Sequence, residues 1–152
     1  MVCHHSMYVN HSMSITACQS QSSDSLASNF TTADAAVSEA LALVLGDLGT
    51  KLKACGSTQE AIERYQQALC VCPTCATVHY NMGVVTSEMK QYDEALQHYE
   101  RAVKLQPGNP QAHCNMGVIY KERGDIHKAI TCYERALAAS PNFVIVKVCP
   151  AS

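Results

Sequence analysis

Hydrophobic and polar positions alternate irregularly up to about residue 32, then settle into a helical rhythm. Residues 1–32 are rich in Ser, Thr, Asn, Gln and His, with scattered Met. Their apolar residues follow neither a helical nor a strand period. A segment that cannot bury a face cannot offset its ordering entropy, so a disordered polar leader is expected over 1–32. From Ala33 the stretch ADAAVSEALALVLGDLGTKLKAC places apolar residues at helical spacing among good helix formers. Gly56 is a natural stop, and QEAIERYQQALCVC then forms a second helical stretch that ends at Pro73.

The same pattern then returns twice. Pro73, Pro107 and Pro141 recur at one constant step, and so do Tyr65, Tyr99 and Tyr133. Ala61, Ala95 and Ala129 keep the step, as do Ala68, Ala102 and Ala136, and Gly49, Gly83 and Gly117. A period of about 34 residues with this grammar marks the tetratricopeptide repeat. The expected fold is therefore all-α, a right-handed solenoid of three helix pairs. The array spans 33–143, with repeats at 42–75, 76–109 and 110–143 and a truncated tail at 144–152. First helices are expected at 43–54, 77–89 and 111–123, and the one holding Gly49 is expected to begin early, near Asp34 or Ala35. Second helices are expected at 59–71, 93–105 and 127–139.

Small residues belong where helices touch, which accounts for Gly83, Gly117, Ala95 and Ala129. Tyr99 and Tyr133 are expected to fill the space between one unit and the next. Pro107 and Pro141 stop the second helices, because proline lacks the N–H and clashes with the preceding turn. Repeat one is weaker. Gly46 and Asp47 sit in mid-helix, where Gly46 costs about 1 kcal/mol relative to Ala.

The first helices of such an array line its concave wall. Candidate groove residues are Asp47 and Thr50 in repeat one, beside Leu43, Gly46, Lys53 and Ala54. Repeat two supplies Thr77, Tyr80, Asn81, Val84 and Glu88, with Ser87. Repeat three supplies Gln111, Asn115, Val118, Lys121 and Glu122, with Cys114. Asn81 and Asn115 stand one repeat period apart. An Asn amide offers one acceptor and two donors, so a row of them can hold an extended peptide by its backbone. The competing reading is that both amides are solvated or cap local backbone groups. No clamp of Lys and Arg runs along this wall, which disfavours the chaperone-tail type that grips a terminal carboxylate.

Composition narrows the picture further. The chain has 152 residues, is 47% hydrophobic and carries a formal net charge of -2, with no basic block. Electrostatic nucleic-acid binding is disfavoured. No apolar run reaches the roughly 18–20 residues of a membrane span. Nine cysteines at irregular spacing, with no secretory signal ahead of them, point to free thiols in a reducing compartment. The sequons at Asn10 and Asn29 are then chance matches. Cys70, Cys72, Cys75 and His79 can be written as a zinc set, but Cys70 and Cys72 would point in different directions at a helix end. No metal site is assigned there, nor to His4, His5 and His11. His79 and His113 are read as packing residues, and His98 and His127 as solvated. Glu60 with Arg64, and Glu100 with Lys104, read as i,i+4 pairs. No catalytic motif and no cofactor signature is present.

The phrases NMGVVTSEMKQYDEAL, GVIYKERGD and AITCYERALAASPNF go beyond generic repeats. With GDLGTKLKACGSTQEAIERYQQAL they resemble the repeat region of the SPINDLY-type plant protein O-glycosyltransferases, over roughly residues 34–147. The resemblance implies repeats that bind protein substrates ahead of a nucleotide-sugar transferase domain acting on Ser and Thr. It implies O-fucosyl or O-GlcNAc chemistry in the parent enzyme, a restraint on gibberellin signalling, and residence in cytoplasm and nucleus. The inner asparagine row of these relatives supports Asn81 and Asn115, and repeat one departs with Asp47. The catalytic domain is absent from this sequence, so no enzymatic activity is expected of the chain itself. Three readings stay open. One is a non-catalytic adaptor that competes or pairs with the full enzyme. Another is a fragment whose parent is an active transferase, and the third is a generic or co-chaperone-like scaffold. Ile126, Ile130 and Tyr133 are expected to form an apolar edge that favours self-association.

Overall fold

The computed structural model describes residues 32–142. The leader expected over 1–32, apart from Thr32, and the tail expected from 144 lie outside the described residues. The chain divides into two compact units between Ala35 and Ala36, and the packing that follows is that of the second.

Six α-helices and no strand occur among the described residues. They are α1 Thr32–Ala54, α2 Thr58–Val71, α3 Ala76–Glu88, α4 Tyr92–Leu105, α5 Pro110–Glu122 and α6 Ile126–Ala139. The helix ends fall within one residue of those that the repeat period predicts for α2 to α6. α1 begins at Thr32, just ahead of Asp34.

The turns inside each pair are copies of one another. Gly56, Lys90 and Gly124 share the left-handed backbone region, with φ of 88°, 61° and 80°. After each comes the same two-bond closure. Lys90 N–H reaches the Ser87 carbonyl at 2.9 Å and Gln91 N–H the Thr86 carbonyl at 2.9 Å. Gly124 and Asp125 repeat this on Lys121 and Tyr120, and Gly56 and Ser57 on Lys53 and Leu52. This closure satisfies carbonyls that a helix end leaves open. Caps open two of the helices. The Asn109 side chain accepts from Ala112 N–H at 3.1 Å ahead of Pro110, and Asp125 accepts from Lys128 N–H at 3.2 Å.

Glycine decides how closely the paired helices approach. A Cβ on Gly83 would sit 2.7 Å from the Tyr99 ring, and one on Gly49 2.7 Å from the Tyr65 ring. Each tyrosine ring therefore packs against the glycine of its own repeat. Tyr99 also faces the next unit as expected, sharing a core with Ala112, Met116, Ile119 and Cys132 of repeat three, while Tyr133 meets Gly117 of its own repeat. Gly46 also gains a reason. A Cβ there would meet Val78 at 3.1 Å, so this glycine sets the approach of α1 to α3, the first helix of the next repeat.

The core runs along the array as two clusters. One gathers Ala42, Ala61, Tyr65, Ala68, Val78, Met82 and Val85. The other gathers Ala95, Leu96, Tyr99, Ala112, Met116, Ile119 and Cys132. Each cluster spans neighbouring repeats, as nearest-neighbour stacking requires. Tyr65 and Tyr99 are 1% exposed, and burying such a ring contributes about 1.5–3 kcal/mol. On α6, Ile126 and Ile130 are half exposed, and Leu137 joins them. Tyr133 does not belong to that edge, because its ring lies on Gly117.

Candidate functional site

The wall of first helices is built on α1, α3 and α5. Asp47, Thr50, Thr77, Gln111, Lys121, Glu122 and Glu88 are exposed, while Tyr80, Asn81, Val84, Asn115 and Val118 are half-buried. Small and polar side chains thus project from a partly apolar floor. Gly46 and Cys114 are buried beneath the wall rather than on it. The Tyr80 ring stands 6.0 Å from the Tyr99 ring, tilted by 50°.

Both asparagines are held in place by the preceding repeat. Asn115 Nδ2 donates to the Tyr99 hydroxyl at 3.2 Å. Asn81 Nδ2 donates to Thr50 Oγ1 at 3.3 Å, and Thr50 Oγ1 hydrogen-bonds the Tyr65 hydroxyl at 3.0 Å and the Gly46 carbonyl at 3.0 Å. The register explains the difference. Val84 stands one repeat period after Thr50, so repeat two has no hydroxyl to bridge with, and the amide meets the tyrosine directly. Burial pushes the Tyr99 phenol far up, so it stays neutral and keeps its bond to Asn115 over the working pH range. Each asparagine spends one N–H on its anchor and keeps a carbonyl and a second N–H for a ligand.

The wall charges are mixed. Lys53 reaches from repeat one to Glu88 in repeat two at 2.6 Å. That pair bridges two repeats and occupies the lysine that a carboxylate grip would need. Sequence reasoning placed the asparagines on this wall but missed their anchors. The signal was the constant phenol of the Tyr65 and Tyr99 column, where a phenylalanine would fill the same space.

The remaining candidates resolve differently. His79 and His113 are buried, as packing residues should be. His98 is not solvated. Its Nδ1 lies 3.2 Å from His79 Nδ1, and His79 Nε2 is 3.0 Å from the Pro73 carbonyl. Burial, then the neighbouring His79, pushes the His98 pKa down to about 4. His127 is exposed. Arg64 bonds Gln67 at 2.8 Å instead of Glu60, and Glu100 forms no ion pair with Lys104. Cys55, Cys72, Cys75, Cys114 and Cys132 are free thiols. Among the described residues, no three His, Cys, Asp or Glu side chains are placed to share a metal ion. No described helix is long and apolar enough to cross a membrane.

Comparison with known proteins agrees with this architecture. A family model described as tetratricopeptide repeat matches residues 74–142, and a second, described as TPR repeat, matches residues 49–90. A probable UDP-N-acetylglucosamine–peptide N-acetylglucosaminyltransferase SPINDLY of Hordeum vulgare is 54% identical over 58 residues. Those residues are 38% of this chain and 6% of that relative, so the likeness concerns a small part of the longer protein. Among solved structures, the first TPR of Spaghetti (RPAP3), bound to an HSP90 peptide, superposes with a TM-score of 0.66 at 25% identity, over 70% of this chain and 85% of that one. MamA gives a TM-score of 0.64 at 25% identity, over 68% of this chain and 60% of that one. A repeat array of this kind is a protein-interaction fold, and no catalytic domain lies among the described residues. From its repeat period, its glycine-on-tyrosine packing and these matches over residues 49–142, the chain carries tetratricopeptide repeats, similar to those of SPINDLY-type transferases.

Proposed function

We propose that the wall formed by α1, α3 and α5 binds extended segments of partner proteins and selects them as the repeats of a SPINDLY-type O-glycosyltransferase would. One observation carries this reading. Asn81 and Asn115 sit in the same register of adjacent repeats, each with one N–H tied to the repeat before it. Two amides fixed in orientation present a carbonyl and an N–H each to a passing backbone. They lose little side-chain entropy on binding, since their rotamers are already held. Backbone contacts read no side chains, which suits a module that accepts many sequences.

On this reading the parent activity is transfer of a sugar, fucose or N-acetylglucosamine, from a nucleotide donor to Ser or Thr. The setting is regulation of gibberellin signalling in cytoplasm and nucleus. The chain contributes substrate choice, either as an adaptor that competes or pairs with a full-length enzyme, or as part of such an enzyme. Ile126 and Ile130 on α6 offer an apolar edge for self-association. A co-chaperone-like grip on a terminal carboxylate is the weaker reading, because Lys53 is already engaged with Glu88.

The test is a competition. Acceptor proteins of a SPINDLY-type transferase are immobilised, and the purified chain is titrated against that enzyme. Displacement of the enzyme, with no turnover when nucleotide sugar is added to the chain alone, supports the proposal. Failure to bind any of these acceptors removes it.

A further inference from the structure

A second cleft lies elsewhere on the array. It is lined by α4 and α6, with the edges of α3 and α5 beneath, and has a volume of about 1320 Å³. It shares no residue with the asparagine wall. Its charge is lopsided. Arg101, Lys104, Lys128 and Arg135 line it, against Glu100 alone. Four of the chain's 11 basic residues thus meet here with one of its 13 acidic ones.

Three of these cations are unspent. Arg101, Lys104 and Arg135 are exposed and have no ion pair or hydrogen bond among the described residues. Lys128 is held by Asp125 at 2.9 Å and stands 5.4 Å from the Tyr120 ring. Arg101 and Arg135 are one repeat period apart, one on each second helix, and repeat one has Gln67 in that register. Both arginines line the cleft together with His79 and His113.

The floor is incomplete in repeat three. His79 Nδ1 is satisfied by His98, but one period later the partner position holds Cys132, and His113 Nδ1 is buried with no hydrogen-bond partner. This unpartnered nitrogen, on a residue 8% exposed, leaves a polar group unsatisfied beneath a cleft ringed by free cations. Val103, Leu105 and Met116 add apolar surface between the charges.

We propose that this cleft is a second binding site, for an acidic segment of a partner protein carrying apolar residues among its carboxylates, with Arg101 and Arg135 as its two anchors. Arginine suits carboxylate because its planar fork pairs both oxygens at once. Low-dielectric cleft walls concentrate the field of the four cations. Apolar patches between the charges favour peptide over a uniform polyanion. A partner that engages both surfaces gains avidity, since the second contact becomes intramolecular.

The test uses fluorescence anisotropy with the full chain and a labelled peptide of about ten residues, half Glu with Leu between, extended at about 3.3 Å per residue. The matching Gln peptide is the control. The Glu peptide should bind, weaken as salt rises from about 0.05 to about 0.5 M, and lose affinity about tenfold in the Arg101→Glu, Arg135→Glu variant. Arg101→Gln with Arg135→Gln gives a milder loss and stands in if the reversed charges disturb folding, which circular dichroism reports. Unchanged affinity in both variants overturns the proposal. So does loss through Asn81→Ala and Asn115→Ala, which places the peptide on the other wall, or tighter binding of a single-stranded oligonucleotide than of the peptide.

Discussion

The side-chain amide of Asn115 donates to the hydroxyl of Tyr99 across 3.2 Å, joining the first helix of repeat three to the second helix of repeat two. The ring of Tyr99 meanwhile closes on Gly83 within repeat two. One residue therefore packs its own unit and orients the side-chain amide of the next.

Replacing Tyr99 by Phe separates these roles. The ring still covers Gly83, while Asn115 loses its partner. Stability should fall by about 1 kcal/mol, the usual net worth of a partly buried hydrogen bond. Affinity for an extended peptide should fall too, because the amide is no longer held. Chemical denaturation and a peptide titration on the same variant read the two effects.

Gly83→Ala tests the packing. Its new Cβ would lie 2.7 Å from Tyr99 ring carbons, which the ring can relieve only by moving. Overpacking of this kind costs about 1–3 kcal/mol. Combining it with Tyr99→Leu should recover part of the loss relative to the sum of the single changes, and urea unfolding of the four proteins measures that coupling.

Lys90 holds a left-handed backbone at φ 61°, where the other two repeats have Gly56 and Gly124. Lys90→Gly should raise stability by up to about 1 kcal/mol, since relief of the strained backbone outweighs the added freedom of the unfolded chain. The matching Gly124→Ala should lower it, and thermal unfolding of both distinguishes strain from lost side-chain contacts.

Acid should loosen repeats two and three before repeat one. Burial holds His98 down at about 4, and it lowers His79 and His113 as well, with help from Arg101 and Arg135. A group whose folded pKa is depressed binds protons more readily when unfolded. The stability tied to its neutral form is full above the ordinary histidine value of 6.5 and is lost as pH falls toward the folded value. Tm should drop between pH 6.5 and about 4, and His98→Gln should flatten the upper part of that slope.

Much of this architecture was legible in the sequence, because the repeat states each constraint three times. Gly83 and Tyr99 recur in register, and Pro107 fixes where α4 must end. What stayed hidden depends on one repeat meeting the next. Gly46 looked like a weak point in a helix, yet it seats Val78. His98 looked solvated, and nothing in a period predicts that its partner is His79. The anchors of Asn81 and Asn115 were equally out of sight. Periodicity gives a residue's face, but a hydrogen bond across repeats depends on whether position 50 or 84 carries a hydroxyl.

The central claim is that two oriented asparagines grip a peptide backbone. The most direct measurement is calorimetric titration of an extended acceptor peptide of a SPINDLY-type transferase into the native chain and into the Asn81→Ala, Asn115→Ala variant, with helicity checked in both. A fold-preserving loss of at least about tenfold in affinity is predicted, roughly one kcal/mol for each backbone contact removed. Equal affinity in the two proteins would contradict the account.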